Sequence, residues 1–133
     1  YYEYTYRDFR GRTQNGRSNY HPSTIPWINV ISIDDSNINS MTIDLQREIA
    51  IDKLGIAFYL GNSRKSFYAV EISSNGENWT SVLERTESKG NTNDFEYVDF
   101  NNQKARYIKV IGYGNETNFW FSVTEVEVIK TLN

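Results

Sequence analysis

The chain has 133 residues, of which 15% are aromatic, and a net charge of −3 from 14 basic and 17 acidic side chains. This length is sufficient for one domain with a buried core, and we expect residues 1–133 to form a single domain. The absence of cysteine excludes a disulfide framework and thiol chemistry, and no apolar run approaches the roughly 18 residues of a membrane span.

The first twenty residues combine four arginines with six aromatic side chains. Basic residues interleaved with aromatics occur in proteins that bind nucleic acids. The rest of the chain is acidic and carries no nucleic-acid motif, so we expect no nucleic-acid partner. We interpret this segment as a solvated edge strand near residues 3–9, with cross-strand pairs between its side chains.

A polar loop with the sequence Asp-Asp-Ser-Asn-Ile-Asn occupies residues 34–39. Clustered carboxylate, amide and carbonyl oxygens suit a hard cation such as Ca²⁺. The candidate ligands in this loop are Asp34, Asn37 and Asn39. The alternative is an ordinary turn, because Asp and Asn side chains readily bond to nearby backbone groups.

Alternating apolar residues predict seven further strands, near residues 41–46, 49–60, 66–73, 80–85, 94–100, 105–111 and 123–130. One face of the 49–60 strand is expected to carry Leu54, Ile56, Phe58 and Leu60. The pair Asn75-Gly76 predicts a hairpin turn. Short strands separated by turn residues favour an all-β fold of the sandwich or jelly-roll type.

A loop rich in glycine, asparagine and aromatic residues is predicted at residues 113–120, between the last two strands. Its rings are too apolar for an ordinary surface turn. Aromatic rings can stack on the apolar faces of sugars, and amides can bond to sugar hydroxyls. The candidate ligand-binding residues here are Tyr113, Asn115, Asn118 and Trp120. In the alternative interpretation, Trp120 caps the core and the asparagines only form turns.

Four segments occur in a characteristic order: MTIDL at residues 41–45, IDKLGIAFYLGNSRK at 51–65, FYAVEISSNGENW at 67–79, and RYIKVIGYGN with TEVEVI between 106 and 129. Together they resemble the discoidin-like (factor V/VIII type C) domains. The resemblance is strongest to the carbohydrate-binding modules attached to bacterial polysaccharide-degrading enzymes. It implies an all-β, jelly-roll β-sandwich of the discoidin-like, galactose-binding-domain-like type.

The same resemblance bears on the polar loop at residues 34–39. In many such domains this loop holds a structural Ca²⁺ with help from a glutamate of the last strand, which is Glu125 in this chain. The resemblance therefore implies a calcium site that includes Glu125. Asp35 stands where the family's loop has a glycine, and the threonine and tryptophan of that loop are missing here.

Two more stretches are candidates for a sugar site on loops at one end of the sandwich. The first offers Tyr20, His21 and Trp27. The second offers Tyr59, Asn62, Arg64 and Lys65. A guanidinium binds carboxylate or sulfate in a bidentate manner, so Arg64 beside Lys65 favours an anionic glycan. The alternative is that both are solvated turn charges.

Catalysis has weak support in the sequence, and we expect no catalytic residues. The one histidine, His21, lies in a loop-like context without a nucleophile elbow. Paired carboxylates can hydrolyse glycosides, but Asp34 and Asp35 lie in a predicted turn. Glu125 and Glu127 lie on one face of a predicted strand.

We therefore expect a non-catalytic carbohydrate-binding module with a polysaccharide partner, and we favour an anionic glycan such as alginate. No signal peptide is visible. The chain starts abruptly at Tyr1, which suits a module of a larger secreted protein, and we expect the isolated module to be a monomer. A catalytic domain of the same polypeptide, a polysaccharide lyase or glycoside hydrolase, is the expected neighbour. The alternative function is a discoidin-like adhesion domain that binds a protein or phospholipid surface.

Overall fold

The computed structural model describes residues 2–7, 13–18, 29–34 and 39–131, and it describes side chains from Ser40 onward. The described residues form nine strands: β1 Tyr2–Arg7, β2 Thr13–Ser18, β3 Asn29–Asp34, β4 Asn39–Phe58, β5 Ser66–Ser73, β6 Thr80–Glu87, β7 Glu96–Asp99, β8 Lys104–Asn115 and β9 Val123–Lys130. No helix in this part of the chain has the length and apolar character needed to cross a membrane.

The strands form a two-sheet sandwich in which every pairing is antiparallel. One sheet has the order β3-β4-β8-β5-β6. In the other sheet, β4 lies between β7 and β9. Strands β1 and β2 form a separate two-stranded sheet. This all-β architecture confirms the fold class that the strand pattern predicts.

Strand β4 is twenty residues long and belongs to both sheets. Its ladder with β8 is interrupted between Asp44 and Ile49, where Gln46 has a φ of 69°. The Asp44 carboxylate accepts the Gln46 backbone N–H at 2.7 Å, which stabilises this bend. Bends of this kind let one strand pass from one sheet of a sandwich to the other.

The core lies between the two sheets and follows the two-residue alternation of the strands. Its fully buried side chains are apolar and come from both sheets: Ile43, Ile51, Leu54, Ile56, Phe58, Val70, Phe100, Ile108, Val110 and Val128. The ring of Phe58 lies 5.2 Å from that of Tyr68, between centroids, and so joins the two sheets. Burial of these side chains is the main force that holds the sandwich together.

Several of the predicted strands differ from the observed ones. The strand predictions at 66–73 and 123–130 are confirmed with their bounds. The segments 41–46 and 49–60 form one continuous strand. Strand β2 was missed because its sequence has no apolar residue, and β3 was missed although Ile31 and Ile33 alternate with polar residues. The prediction for Leu60 is wrong, since β4 ends at Phe58. Leu60 has a φ of 53° and is 42% exposed, because the chain turns there towards β5.

The antiparallel pairing gathers the connections between strands at two ends of the sandwich. Phe58, where β4 ends, lies opposite Val123, and Ser66, where β5 begins, lies opposite Asn115. We call this the loop end and define it by three connections: residues 59–65, 88–95 and 116–122. The opposite end holds two connections that matter below: residues 74–79 and 100–103.

Candidate functional site

The loop that follows β8 is built around the buried side chain of Asn115, the last residue of that strand. Its Nδ2 donates hydrogen bonds to Asn118 Oδ1 at 2.8 Å and to the Trp120 carbonyl oxygen at 2.7 Å. Its Oδ1 accepts the backbone N–H of Thr117 and of Asn118, and also the Thr117 hydroxyl. The amide group therefore has no donor left for a ligand. Asn115 holds the loop in shape instead of offering its amide to a sugar.

Asn118 continues this network at the exposed surface of the loop. Its Oδ1 accepts the Trp120 N–H at 2.9 Å as well as the Asn115 amide. Gly114 makes the close approach possible, because it has a φ of 86° and a Cβ there would lie 2.9 Å from the Asn118 carbonyl oxygen. The backbone beneath Trp120 is thus fixed from two sides.

Two large aromatic side chains are exposed to solvent at the tip of this loop. Phe119 is 94% exposed and Trp120 is 73% exposed. Phe121 turns inward and meets Phe58 edge-on, with 5.9 Å between ring centroids. Gly112 makes room for Phe121, because a Cβ at Gly112 would collide with that ring. The interpretation that Trp120 caps the core is therefore wrong, since Phe121 does so.

Tyr59 and Arg64 form a second feature of the loop end. The Tyr59 N–H donates to the Ser122 carbonyl at 3.0 Å, which joins this loop to the one that carries Trp120. Tyr59 is 53% exposed, and the Arg64 guanidinium carbon lies 5.6 Å from its ring centroid. Arg64 Nε is buried and has no hydrogen-bond partner among the described residues. A guanidinium held by a ring, without a carboxylate partner, is well suited to bind an anion.

Lys65 differs from Arg64 because its charge is already paired. Its Nζ lies 3.0 Å from Glu87 Oε1, and this hydrogen bond raises the pKa of Lys65. The Lys65 backbone N–H donates to Glu116 Oε1 at 2.6 Å, and the Glu116 N–H donates back to the Lys65 carbonyl at 3.0 Å. Lys65 therefore fastens the two loops together. Sequence reasoning missed both glutamates.

The third loop of this end, residues 88–95, was also missed as part of the site. The Asn62 N–H donates to Asn93 Oδ1 at 3.2 Å, and Gly90 packs against Lys65 with a φ of 74°. The Asn62 side chain is exposed, and its Oδ1 accepts the Ser63 hydroxyl. The polar run Asn91-Thr92-Asn93-Asp94 between two strands was the signal available in the sequence.

The prediction that Tyr113 lies in a loop is wrong, because β8 continues to Asn115. Tyr113 is half-buried on the outer face of the five-stranded sheet, where Arg85 covers its ring at 4.4 Å from the centroid. The extra strand length follows from pairing, since Ser66 of β5 lies opposite Asn115. Tyr113 does not join the exposed rings at the loop tip.

The predicted calcium ligands are only partly described. Asn37 lies outside the described residues, as do Tyr20, His21 and Trp27, and Asp34 and Asn39 are described as backbone only. Asn39 lies opposite Gly112 of β8, which brings the end of this loop to the loop end. Glu125 is exposed on β9. In the described ranges, no group of three or more His, Cys, Asp or Glu side chains could hold a metal ion.

Glu127 has a structural explanation that separates it from Glu125. It is buried, and its Oε1 accepts the Tyr97 hydroxyl at 2.6 Å. Burial raises the pKa of Glu127 above its usual value, and its Oε2 has no partner among the described residues. Gly55 lies between Glu127 and Tyr97 and provides the space for their contact. The two glutamates therefore do not form an open carboxylate pair.

The comparisons with known proteins agree with this fold. The F5/8 type C domain profile matches residues 8–126. The CBM32 of AlyQ, solved in complex with 4,5-unsaturated mannuronic acid, is 29% identical with a TM-score of 0.66, over 77% of this chain and 92% of that one. A truncated AlyQ with CBM32 and alginate lyase domains is 29% identical with a TM-score of 0.65, over 76% of this chain and 31% of that one.

Among curated proteins, the chain is similar to BTB/POZ domain-containing protein 9 of Homo sapiens, at 24% identity over 116 residues. The match covers 87% of this chain and 19% of that relative, so the chain spans about a fifth of its length. The match over residues 8–126 confirms the resemblance drawn from the sequence. The chain belongs to the F5/8 type C domain family.

Proposed function

We propose that this chain is a non-catalytic carbohydrate-binding module that binds an acidic polysaccharide through its loop end. The observation that carries the proposal is the state of Arg64. Its guanidinium is half-buried against Tyr59 and lacks a carboxylate partner in the part of the chain that the structure describes. A uronate carboxylate would supply the two oxygens that match the planar fork of the guanidinium.

The exposed aromatic rings would contribute the apolar contacts to the sugar. Trp120, Phe119 and Tyr59 offer apolar surface at the same end as Arg64. The hydrogen bond from the Tyr59 N–H to Ser122 joins their loops. Because rings can stack on the apolar face of a pyranose while a guanidinium binds its carboxylate, the arrangement favours an acidic sugar over a neutral one.

The AlyQ module supports this choice of ligand class, since it was solved with an unsaturated mannuronic acid. The AlyQ structure that joins a CBM32 to an alginate lyase domain supports a targeting role. We infer that this chain holds a secreted polysaccharide-degrading domain near its polymer. Such tethering raises the effective concentration of the catalytic domain at the substrate.

Affinity electrophoresis in gels that contain polymer tests this proposal. Alginate and polygalacturonate should retard the protein, and a neutral glucan should not. Retardation should weaken as salt rises, because exposed charge contacts are screened over roughly 8–10 Å at moderate ionic strength. Equal retardation by the neutral glucan, unchanged by salt, would contradict an acidic ligand.

A second candidate is an adhesion domain for a phospholipid or protein surface. The observation that favours it is the exposure of Phe119, at 94%, beside Trp120 at the tip of one loop. Exposed rings at a tip can enter an interface between membrane and water. Sedimentation with phosphatidylserine vesicles separates the two functions, because the glycan module should stay in the supernatant and the adhesion domain should pellet.

A further inference from the structure

An open cavity of about 360 Å³ lies at the opposite end of the sandwich. Its lining combines hydroxyl, amide and ammonium groups over one apolar residue: Ile72, Ser73, Ser74, Asn75, Asn78, Thr80, Gln103 and Lys104. Ile72 is buried and forms the apolar floor. The cavity has no part in the function proposed above.

Hydrogen bonds within the β5–β6 turn hold one wall of the cavity in place. Ser73 Oγ accepts the backbone N–H of Asn75 and of Gly76. Asn75 Oδ1 accepts the N–H of Glu77 at 2.8 Å and of Asn78 at 2.9 Å. Gly76 completes the turn with a φ of 79°. The wall is therefore formed before any ligand arrives, which reduces the entropy that binding must overcome.

The remaining polar side chains of the lining have no hydrogen-bond partner in the part of the chain that the structure describes. The side chains of Asn78, Thr80, Gln103 and Lys104 line the cavity without a hydrogen bond to any other described residue. Two amides, a hydroxyl and an ammonium group, all on exposed residues, therefore line this open cavity. Such groups match the alternating donors and acceptors of sugar hydroxyls.

The charges around the cavity indicate which sugar it suits. Lys104 forms no ion pair with a described carboxylate, so its ammonium group is available. The carboxylate of Glu48 accepts the hydroxyl of the lining residue Ser74 at 2.7 Å. Glu77, in the turn, is exposed. A free cation beside amides and hydroxyls favours a sugar that carries a carboxylate.

We propose that this cavity is a second glycan site, which takes a uronate unit with its carboxylate towards Lys104 and its hydroxyls towards Asn78, Thr80 and Gln103. The inference rests on the proposed function only for the class of ligand. Strand β8 runs from Lys104 at this end to Asn115 at the loop end. Eleven steps of about 3.3 Å separate the two sites by about 36 Å, so each site can bind a short oligosaccharide independently.

Two sites on one module have a consequence for polymers. A polysaccharide that engages both ends, or two chains that engage one end each, would be held more tightly than a short oligosaccharide. Linked binding events raise the overall affinity through effective concentration, without any new contact. The module would then retain its attached domain on a dense polymer better than the loop end alone.

Titration of the ¹⁵N-labelled full chain with a four-unit oligomannuronate, followed by NMR, tests the proposal. Two separate sets of backbone amides should shift, one at residues 59–65 and 116–122 and the other around Asn78 and Gln103. Lys104→Gln should weaken the second set by about tenfold, since a hydrogen bond between charged groups is lost. Lys130→Gln is the matched control, because Lys130 is an exposed lysine that does not line the cavity.

The outcomes distinguish this inference from the function proposed above. If the loop-end amides shift to saturation while those around Asn78 and Gln103 stay still, the second site is overturned and the first stands. If neither set shifts, the protein does not bind this oligomannuronate, and both the proposed function and the second site are contradicted for this ligand. Shifts around Gln103 that persist unchanged in both Lys104→Gln and Asn78→Ala would also overturn the second site.

Discussion

Asn115 Nδ2 donates a 2.7 Å hydrogen bond to the Trp120 carbonyl oxygen, so a buried amide fixes the backbone of an exposed indole. The Oδ1 of the same side chain accepts hydrogen bonds from the backbone N–H groups of Thr117 and Asn118. The shape of the proposed sugar platform thus depends on a residue that does not offer its own amide to the ligand.

Asn115→Ala should therefore reduce glycan affinity through the shape of the loop. The variant removes the hydrogen bonds that hold Thr117, Asn118 and Trp120, and at about 0.5–1.5 kcal/mol per bond we expect a loss of about 1–3 kcal/mol in the free energy of unfolding. Denaturant unfolding and calorimetric titration should be measured together. Thr117→Ala is the milder control, because it removes one hydroxyl bond from the same network. Unchanged affinity in Asn115→Ala would show that the loop does not need this amide.

Trp120→Ala and Phe121→Ala should separate binding from stability. Trp120 is 73% exposed, so its loss should change stability by less than about 0.5 kcal/mol while it weakens glycan binding. Phe121 packs against the core, and its loss should cost about 3 kcal/mol. Thermal melts and titrations of both variants decide the matter. A large fall in stability for Trp120→Ala would show that the indole packs against the core.

The sequence predicted the sandwich well, because strand alternation and the apolar core are local signals. The positions of Leu54, Ile56 and Phe58 in the core followed from that pattern. The prediction for Leu60 was wrong because the end of a strand depends on where its partner strand ends, and no local pattern marks that point. Strand β8 extends beyond its predicted end for the same reason.

The candidate site was harder to predict, because the fate of each polar group depends on partners far away in the chain. Arg64 and Lys65 are adjacent, yet Lys65 is paired with Glu87 while Arg64 has no carboxylate partner among the residues that the structure describes. Asn115 ends β8 and Asn118 lies three residues later, yet only Asn115 is buried. Such differences arise from the tertiary fold.

The stability of the protein should depend on the ionisation of Glu127. Burial raises the pKa of this carboxyl, so the folded state binds its proton more tightly than the unfolded state does. The corresponding stability is complete below the unfolded pKa of about 4.5 and is lost as pH rises through the folded pKa. Glu127→Gln keeps an acceptor for Tyr97 and should remove this part of the pH dependence. Unfolding measured from pH 4 to 7 would contradict the idea if both proteins gave the same slope.

The calcium site remains a prediction that chelation can check. If Asp34 and Glu125 help to hold Ca²⁺, added Ca²⁺ should raise the melting temperature and a chelator should lower it again. A ligand that binds only the folded state stabilises it by about 2.7 kcal/mol at a hundred times its dissociation constant. Glu125→Gln should reduce this response. Identical melting curves with calcium and with chelator would remove the metal from this account.

The central claim is that Arg64 binds the carboxylate of an acidic glycan. Titration calorimetry of oligomannuronate into Arg64→Ala, Arg64→Lys and the unchanged protein tests it most directly. Arg47→Ala is the matched control, because Arg47 is an exposed arginine in the bend of β4. We expect Arg64→Ala to bind about tenfold or more weakly, because a hydrogen bond to a charged group is lost. Arg64→Lys should fall between, since lysine keeps the charge without the planar fork. Equal affinity in Arg64→Ala and Arg47→Ala, both matching the unchanged protein, would contradict the account.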